Sequence, residues 1–289
     1  MPDAPKAFRV GLVQMCSGRD VKKNIAAATA LIREAAAGGA EYIQTPEMTN
    51  IMELDRERLL PALRAEGDDP GLTQLRFLAR ELGVWLHIGS LALLGEAGKP
   101  VNRSLLISPA GAIVARYDKI HMFDVDLGNG ESYKESANYQ AGREAVIATM
   151  PWGQLGMTIC YDLRFPQLHR ALAKGGAKFI AVPAAFTKPT GIAHWHTLLR
   201  ARAIESQCFV FAAGQGGMHE NGRETFGHSL VISPWGEVLA EAGVQPSVTF
   251  ADVELQRLDD VRRQVPSLRH DRPFDVIYAG ETPPNEVAS

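Results

Sequence analysis

The eight residues SLLISPAG at positions 104–111 return as SLVISPWG at positions 229–236, with six of the eight positions identical. In each copy an apolar run leads into Ser-Pro-x-Gly, a pattern typical of a hairpin turn between two strands. A segment that recurs in this way indicates an internal duplication. We therefore predict that the chain is built from two related halves.

Two further segments repeat in the same order along the chain. GLVQMC at 11–16 resembles GMTIC at 156–160, and GGAEYIQTP at 38–46 resembles GGAKFIAVP at 175–183. Hydrophobic periodicity in the first half predicts a strand, a helix, a strand, a helix, a strand and a hairpin, over residues 8–15, 21–37, 40–45, 71–82, 84–94 and 105–117.

Each half then forms one sheet with helices on one face, and the bare sheet faces must be buried against each other. The predicted fold class is α/β, as a four-layer α-β-β-α sandwich with an internal pseudo-twofold duplication. A doubly wound sheet is the alternative. No low-complexity linker separates the halves, so we expect one domain over residues 1–265. Residues 266–289, rich in Arg, Pro and His, form a tail expected to pack on a neighbouring subunit.

Composition excludes several classes of protein. With 46% hydrophobic and 22% charged residues, the chain is too apolar to be disordered. Thirty Lys and Arg against thirty-three Asp and Glu, without a block of five like charges, argue against a nucleic-acid partner. No apolar run near the N-terminus approaches the roughly 18 residues of a membrane span. We expect a cytoplasmic protein that acts on a small molecule.

The three cysteines are sparse and lack CxxC spacing, which argues against a disulfide framework or a thiolate metal site. Cys160 ends an apolar strand pattern and is followed by a polar turn and a helix start. A helix N-terminus there would favour the thiolate and offer N–H groups to an oxyanion. The alternative is a buried core cysteine, which is what we expect for Cys16 and Cys208.

Two more polar residues lie at the ends of apolar strand patterns. Glu47 follows the segment 40–45, and Lys119 ends the first hairpin. A carboxylate base, an ammonium and a thiol are together what amide hydrolysis by a nucleophile needs. Singly, each is weak evidence, because such acids and lysines are usually solvated.

Four short motifs in this sequence are similar to those of a known protein family. In order they are PE at 46–47, DKIHMFD at 118–124, YKES at 133–136 and CYDLRFP at 160–166. This set resembles the carbon–nitrogen hydrolases of the nitrilase superfamily, in the branch of Nit-type amidases. The resemblance runs nearly end to end. It implies an α-β-β-α sandwich and homo-oligomers built from dimers.

The resemblance also implies the catalytic residues. Glu47, Lys119 and Cys160 match the family's triad, and Glu135 matches a second glutamate beside the lysine. In the implied reaction Glu47 takes the thiol proton, Cys160 attacks the carbonyl, and Lys119 with the backbone N–H of Tyr161 holds the oxyanion. Ammonia leaves, and water releases the acid from a thioester. No cofactor and no metal are expected.

The implied substrate is a small carboxylated amide, for which we select Arg164, Phe186 and Thr187 as binding residues. The resemblance is closest to deaminated glutathione amidases. An ω-amidase acting on 2-oxoglutaramate or 2-oxosuccinamate is the alternative. Tyr161-Asp162 after the cysteine, where true nitrilases usually carry Trp-Glu, favours amides over nitriles. His196, where relatives often carry Glu, leaves the fine substrate preference open.

The sequence leaves two alternative functions open. The chain could be a catalytically silent family member that acts as a binding partner, or a papain-like hydrolase with His169 or His194 as base. Metal binding by His194 and His196 is disfavoured, because residues two apart on a helix diverge by about 200° and no nearby acid completes a ligand set.

Overall fold

The computed structural model describes residues 6–95, 98–128, 131–277 and 279. Strands and helices are numbered along the chain. One six-stranded sheet has the order β16-β1-β2-β3-β4-β5, with bounds Ser247–Glu254, Ala7–Gln14, Tyr42–Gln44, Trp85–Leu94, Pro100–Ile107 and Ile113–Asp118. The other has the order β15-β14-β11-β10-β9-β8, with bounds Val238–Glu241, Leu230–Ile232, Phe209–Ala212, Ala177–Ala181, Gly153–Met157 and Val146–Met150.

Two small hairpins, six α-helices and four short 3-10 turns complete the described elements. The hairpins pair β6 with β7 and β12 with β13, over Asp124–Asp126, Ser132–Lys134, Gly216–Met218 and Glu224–Phe226. Helices α1 to α6 are Val21–Ala37, Arg56–Ala62, Pro70–Leu82, Pro166–Lys174, Lys188–Ser206 and Leu255–Gln264. Helices α1 and α3 cover the first sheet, and α4 and α5 cover the second. No helix in the described part of the chain is long and apolar enough to cross a membrane.

The register of the two sheets confirms the predicted duplication. Gly11 pairs with Ile43 in parallel strands of the first sheet, and Gly156 pairs with Ile180 in the same way in the second. Both glycines lie under a helix: a Cβ on Gly11 would come within 3.1 Å of Ala35, and one on Gly156 would meet Leu172. The repeated glycines therefore let each first helix approach its sheet closely.

The two hairpins of the opening motif have the same turn. In the first, the Gly111 N–H donates to the Ser108 carbonyl at 2.8 Å, and in the second Gly236 donates to Ser233 at 2.8 Å. Both glycines have positive φ, 76° and 85°, which explains why glycine ends each turn. One hairpin lies in each sheet, as the sandwich prediction requires.

The faces of the two sheets pack together and form the main core. Phe8 of β1 stacks on Trp152 with ring centroids 4.2 Å apart, and contacts Phe179 of β10 edge-on at 5.3 Å. Tyr42 of β2 packs against Phe211 of β11. Because the inner faces bury aromatic rings and each sheet has its helices on the outer face, the α-β-β-α prediction is confirmed and the doubly wound alternative is wrong.

Each half contributes its last strand to the other half's sheet, which the sequence analysis did not predict. Strand β8, at the end of the first half, pairs with β9, and β16, at the end of the second half, pairs antiparallel with β1. The β16–β1 ladder runs from Ala7 opposite Glu254 to Gln14 opposite Ser247. Each exchanged edge strand therefore joins the two halves of the chain by hydrogen bonds within one sheet.

Candidate active site

The sequence-predicted polar residues meet where strands of the two sheets end. Glu47 follows β2, Lys119 follows β5, and Cys160 follows β9. These three residues and the segment after β10 line a single pocket. Loops from both halves therefore enclose a cavity of about 300 Å³. The pocket is lined by Glu47, Lys119, Glu135 and Cys160, together with the aromatic residues Phe123, Tyr133, Tyr139, Tyr161 and Phe186.

Lys119 lies at the centre of a buried charge cluster. Its Nζ donates to Glu47 Oε1 at 2.8 Å and to both carboxylate oxygens of Glu135, at 2.8 and 3.1 Å. Only 2% of the lysine side chain is exposed. Burial alone would favour the neutral amine, but the carboxylates of Glu135 and Glu47 raise the pKa of Lys119 well above its ordinary value. The ammonium is therefore kept charged inside the pocket.

Glu47 is held by donors on both of its oxygens. Its Oε1 accepts from Lys119 and from Asn102 Nδ2 at 2.9 Å, and its Oε2 accepts from the backbone N–H of Ala185 at 2.8 Å. Burial opposes ionisation, but the positive charges of Lys119 and Arg223 lower the pKa of Glu47 below its usual value. The group is thus an oriented carboxylate beside the Cys160 thiol.

Cys160 has a strained backbone, with φ of 48° in the left-handed region. For a residue with a Cβ this conformation costs about 1–2 kcal/mol, and such strain is common at functional sites. The segment Cys160–Arg164 is a short 3-10 turn and α4 begins at Pro166, so the predicted polar turn and helix start do follow the cysteine.

The surroundings of Cys160 favour the thiol over the thiolate that a helix N-terminus would favour. Burial and the Glu47 carboxylate raise the pKa of the Cys160 thiol well above its ordinary value, which outweighs the opposing charge of Lys119. The resting group is therefore a thiol next to a carboxylate. It becomes nucleophilic only when Glu47 takes its proton.

Asp162, two residues beyond the thiol, fixes the turn that presents it. The carboxylate is fully buried and accepts from the backbone N–H of Ile159 at 2.8 Å and from the Tyr117 hydroxyl at 2.6 Å. His121 contributes its backbone N–H at 3.1 Å, and its ring nitrogen lies 2.7 Å from the same carboxylate. His121 therefore supports the turn and is not among the residues that line the pocket.

The backbone beside the thiol is available to a substrate. The N–H groups of Cys160 and Asp162 donate to the carbonyls of Pro183 and Ile159. None of the described hydrogen bonds uses the N–H of Tyr161 between them. This leaves the donor predicted for the oxyanion unpaired at the pocket wall.

Two residues of the site were missed by the sequence analysis. Asn102, in β4, donates to both Glu47 Oε1 and Glu135 Oε1, at 2.9 and 3.2 Å, and so ties the two acids together. A buried asparagine within an apolar strand is unusual and was the available signal. Arg223 lines the pocket from the loop before β13, far from every motif in sequence, and nothing local marks it.

The three residues selected for substrate binding have different positions. Phe186 and Thr187 line the pocket. Arg164 does not: its guanidinium lies over the rings of Tyr161 and Phe186, at 5.8 and 5.3 Å, and contacts His194. Arg164 therefore supports the wall from behind, and direct binding by it stays a prediction.

No histidine is among the described lining residues of the pocket. His169 is buried with its Nδ1 3.1 Å from the carbonyl of Phe165, and His194 lies against Arg164. Neither ring faces the Cys160 thiol across the pocket. The papain-like alternative has no support from this geometry.

The α-β-β-α sandwich with a thiol, a carboxylate and an ammonium in one pocket defines a hydrolytic enzyme. The sequence matches the carbon–nitrogen hydrolase family over residues 9–263. It is 40% identical over 270 residues to a deaminated glutathione amidase from Yersinia enterocolitica, covering 92% of this chain and 94% of that protein.

Two solved structures show the same likeness. The crystal structure of the Caenorhabditis elegans NitFhit protein matches with a TM-score of 0.86 and 36% identity, covering 93% of this chain and 66% of that one. An amidase variant from Nesterenkonia sp. AN1, with acrylamide added at its active-site cysteine, matches with a TM-score of 0.75 and 26% identity, covering 90% and 98%. The chain belongs to the carbon–nitrogen hydrolase family, whose members hydrolyse carbon–nitrogen bonds.

Proposed function

We propose that the chain hydrolyses deaminated glutathione, or a closely related small carboxylated amide, through a thioester on Cys160. The observation that carries this proposal is the buried ammonium of Lys119, bound by Glu47 and Glu135 in the pocket that contains the thiol. The 40% identity to a deaminated glutathione amidase over most of both chains supports the choice of substrate.

In the first half-reaction, Glu47 accepts the thiol proton as the sulfur attacks the amide carbon. Proton transfer accompanies bond formation, because the resting thiol holds its proton more tightly than the carboxylate does. The carbonyl oxygen takes the negative charge, which Lys119 and the N–H of Tyr161 stabilise. Glu47 then passes the proton to the amide nitrogen, the C–N bond breaks, and an amine leaves a thioester on Cys160.

In the second half-reaction, Glu47 takes a proton from water as the hydroxyl attacks the thioester carbon. The same two donors hold the new oxyanion. The C–S bond breaks, the sulfur recovers its proton from Glu47, and the carboxylic acid leaves. Glu135 takes no proton in this scheme and acts by keeping Lys119 charged and positioned.

The identity of the leaving group separates the two candidate substrate classes. A primary ω-amide such as 2-oxoglutaramate releases ammonia, as the sequence analysis expected. In deaminated glutathione the amide nitrogen belongs to the cysteine of the peptide, so cysteinylglycine leaves instead. The expectation of ammonia therefore holds only for the alternative substrate class.

The direct test compares these two substrates with the purified protein. We expect deaminated glutathione to give the higher kcat/KM, with cysteinylglycine and 2-oxoglutarate formed in equal amounts. Chromatography of the products and an enzymatic ammonia assay measure the two outcomes. Faster ammonia release from 2-oxoglutaramate would support the ω-amidase alternative. No turnover of either amide by folded protein would support a catalytically silent binding partner.

Arg223 is the residue we propose for the substrate carboxylate. It lines the pocket, lies over the rings of Phe123 and Tyr133, and donates from Nη2 to the carbonyl of Ala185. Its Nε is buried without a hydrogen-bond partner in the described part of the chain. A guanidinium with an unused donor suits a carboxylate, which it can bind by two parallel hydrogen bonds.

Replacing Arg223 with Gln is expected to raise KM for the carboxylated amide about 10- to 100-fold, because hydrogen bonds to a charged group contribute about 1.5–3 kcal/mol. The matched control is Arg80→Gln, which removes an exposed arginine of α3 that does not line the pocket. Steady-state kinetics on the acid and on its uncharged ester measure the effect. An equal loss of kcat/KM on the acid and the ester would contradict carboxylate binding by Arg223.

We also propose that residues 1–265 form one domain and that the chain acts as a homodimer or larger homo-oligomer. In the described part of the tail 266–289, Asp271 pairs with Lys174 at 2.7 Å, and Phe274, Val276 and Ile277 are 85, 72 and 85% exposed. Residues 1–5, 96–97, 129–130, 278 and 280–289 of these two segments lie outside the described residues. The exposed apolar side chains support an interface with a second copy.

A further inference from the structure

A second cluster of potential ligands lies outside the active-site pocket. It joins His196 of α5, His228 between β13 and β14, and Glu241 at the end of β15. The Oε1 atom of Glu241 lies 3.0 Å from His196 Nε2 and 2.8 Å from His228 Nδ1. The three ligand atoms all lie within 4.8 Å of one another.

This arrangement corrects one step of the sequence analysis. His194 and His196 do diverge on α5, since His194 contacts Arg164 while His196 contacts Glu241. The expectation that no acid lies nearby is wrong, because the fold brings Glu241 to His196 from 45 residues further along the chain.

The chemistry of the cluster suits a transition-metal ion. Two imidazole nitrogens and one carboxylate oxygen are a ligand set used for Zn²⁺, with bonds of about 2.0–2.2 Å. In a tetrahedral site such ligand atoms are about 3.3–3.6 Å apart. The separations of 2.8 and 3.0 Å from Glu241 therefore have to widen by about half an ångström to admit an ion. The two imidazole nitrogens lie within 4.8 Å of each other.

The backbone holds His228 in place for this role. Its φ is 50°, in the left-handed region, and it follows Gly227 with φ of 72°. Its carbonyl accepts from the indole N–H of Trp195 at 2.8 Å, and its ring stacks on Phe226 with centroids 4.3 Å apart. These contacts fix the ring that faces Glu241, so little side-chain freedom remains to be lost on binding.

The cluster is open enough for an ion to enter and to keep another ligand. The side chains of His196, His228 and Glu241 are 38, 27 and 37% exposed. None of the three lines the active-site pocket. An ion there would connect α5 to the edge of the second sheet.

We propose that His196, His228 and Glu241 form a binding site for a divalent transition-metal ion of the Zn²⁺ type, with a fourth position open to water. The ion would hold α5 against β15 close to Trp195, whose ring packs on the pocket residue Phe186 at 5.0 Å. The expected effect of the ion is stabilisation of the fold at this contact, separate from the chemistry at Cys160.

Titration of the metal-free full-length protein with Co²⁺ tests the site, because tetrahedral Co²⁺ absorbs strongly in the visible. We expect a saturable signal of one ion per chain that Zn²⁺ displaces. His228→Ala and Glu241→Gln should each weaken binding by at least about tenfold. His194→Ala is the matched control, since it removes a histidine from the same helix outside the cluster. Cys160→Ala should also keep the signal, which excludes the active-site thiol as a ligand.

Thermal unfolding gives a second measurement, which does not depend on the visible absorbance of Co²⁺. Zn²⁺ should raise the Tm of the wild type and of His194→Ala, and leave that of Glu241→Gln unchanged. Circular dichroism confirms that each variant is folded. Absence of a saturable signal in the wild type would overturn the proposal. So would equal affinity in the wild type and in both cluster variants.

Discussion

Replacement of Cys160 with alanine abolishes turnover, with an expected loss of roughly 10⁴-fold or more, because no other group can form the thioester. Alanine removes only the sulfur, so the fold should persist. Product release under saturating substrate measures the loss. Mass spectrometry of rapidly quenched wild type should show an acyl adduct on Cys160, and the variant should show none.

Cys16 and Cys208 provide the controls for this experiment. Cys208 is buried directly before β11 with its thiol against the carbonyls of Ala177 and Ser206. Cys16 lies near His219 and is only partly buried, so the expected core position is wrong for Cys16. Their replacement by alanine changes packing alone and should leave kcat close to that of the wild type. An acyl adduct on either of them, or normal turnover by Cys160→Ala, would show that the nucleophile is assigned to the wrong residue.

Replacement of Lys119 with alanine is expected to lower kcat by at least about 10²–10³-fold, the typical cost of losing one oxyanion donor. The same change leaves Glu47 and Glu135 buried without their shared cation. One of the two acids should then take up a proton, since two adjacent carboxylates cannot both stay ionised at low cost. Steady-state kinetics and thermal unfolding together separate the catalytic loss from loss of stability.

Two further variants calibrate the Lys119 result. Lys22→Ala removes an exposed lysine of α1 and should change kcat very little. Glu135→Gln keeps the Lys119 donor but weakens its charge support, so its kcat should fall between those of Lys22→Ala and Lys119→Ala. A Lys119→Ala enzyme as active as Lys22→Ala would rule out Lys119 as the oxyanion donor.

The sequence predicts the fold well because local turn chemistry is repeated. The Ser-Pro-x-Gly turns require glycine at positive φ, and both Gly111 and Gly236 have it. The strand endings at Glu47, Lys119 and Cys160 follow from the same alternation of apolar runs and turns. Their convergence in one pocket rests on the packing of the two sheets, which the duplication also predicted.

The remaining features depend on contacts between distant segments, which no local pattern encodes. Asn102 and Arg223 enter the pocket from parts of the chain without a motif, and Glu241 meets His196 across the edge of a sheet. The thiol state of Cys160 follows from burial and from a carboxylate more than a hundred residues away in sequence. Such effects appear only when the three-dimensional neighbours are known.

The exchanged edge strands have a consequence for how the chain is made. During synthesis the first sheet emerges from the ribosome long before its edge strand, because Phe8 pairs with Val253, 245 residues later. Until then β1 presents unpaired N–H and C=O groups to any strand nearby, the arrangement most prone to aggregation. Pairing at this distance also implies slow folding, since a long loop must close first. The nascent chain should therefore depend on chaperones until its final strand is available.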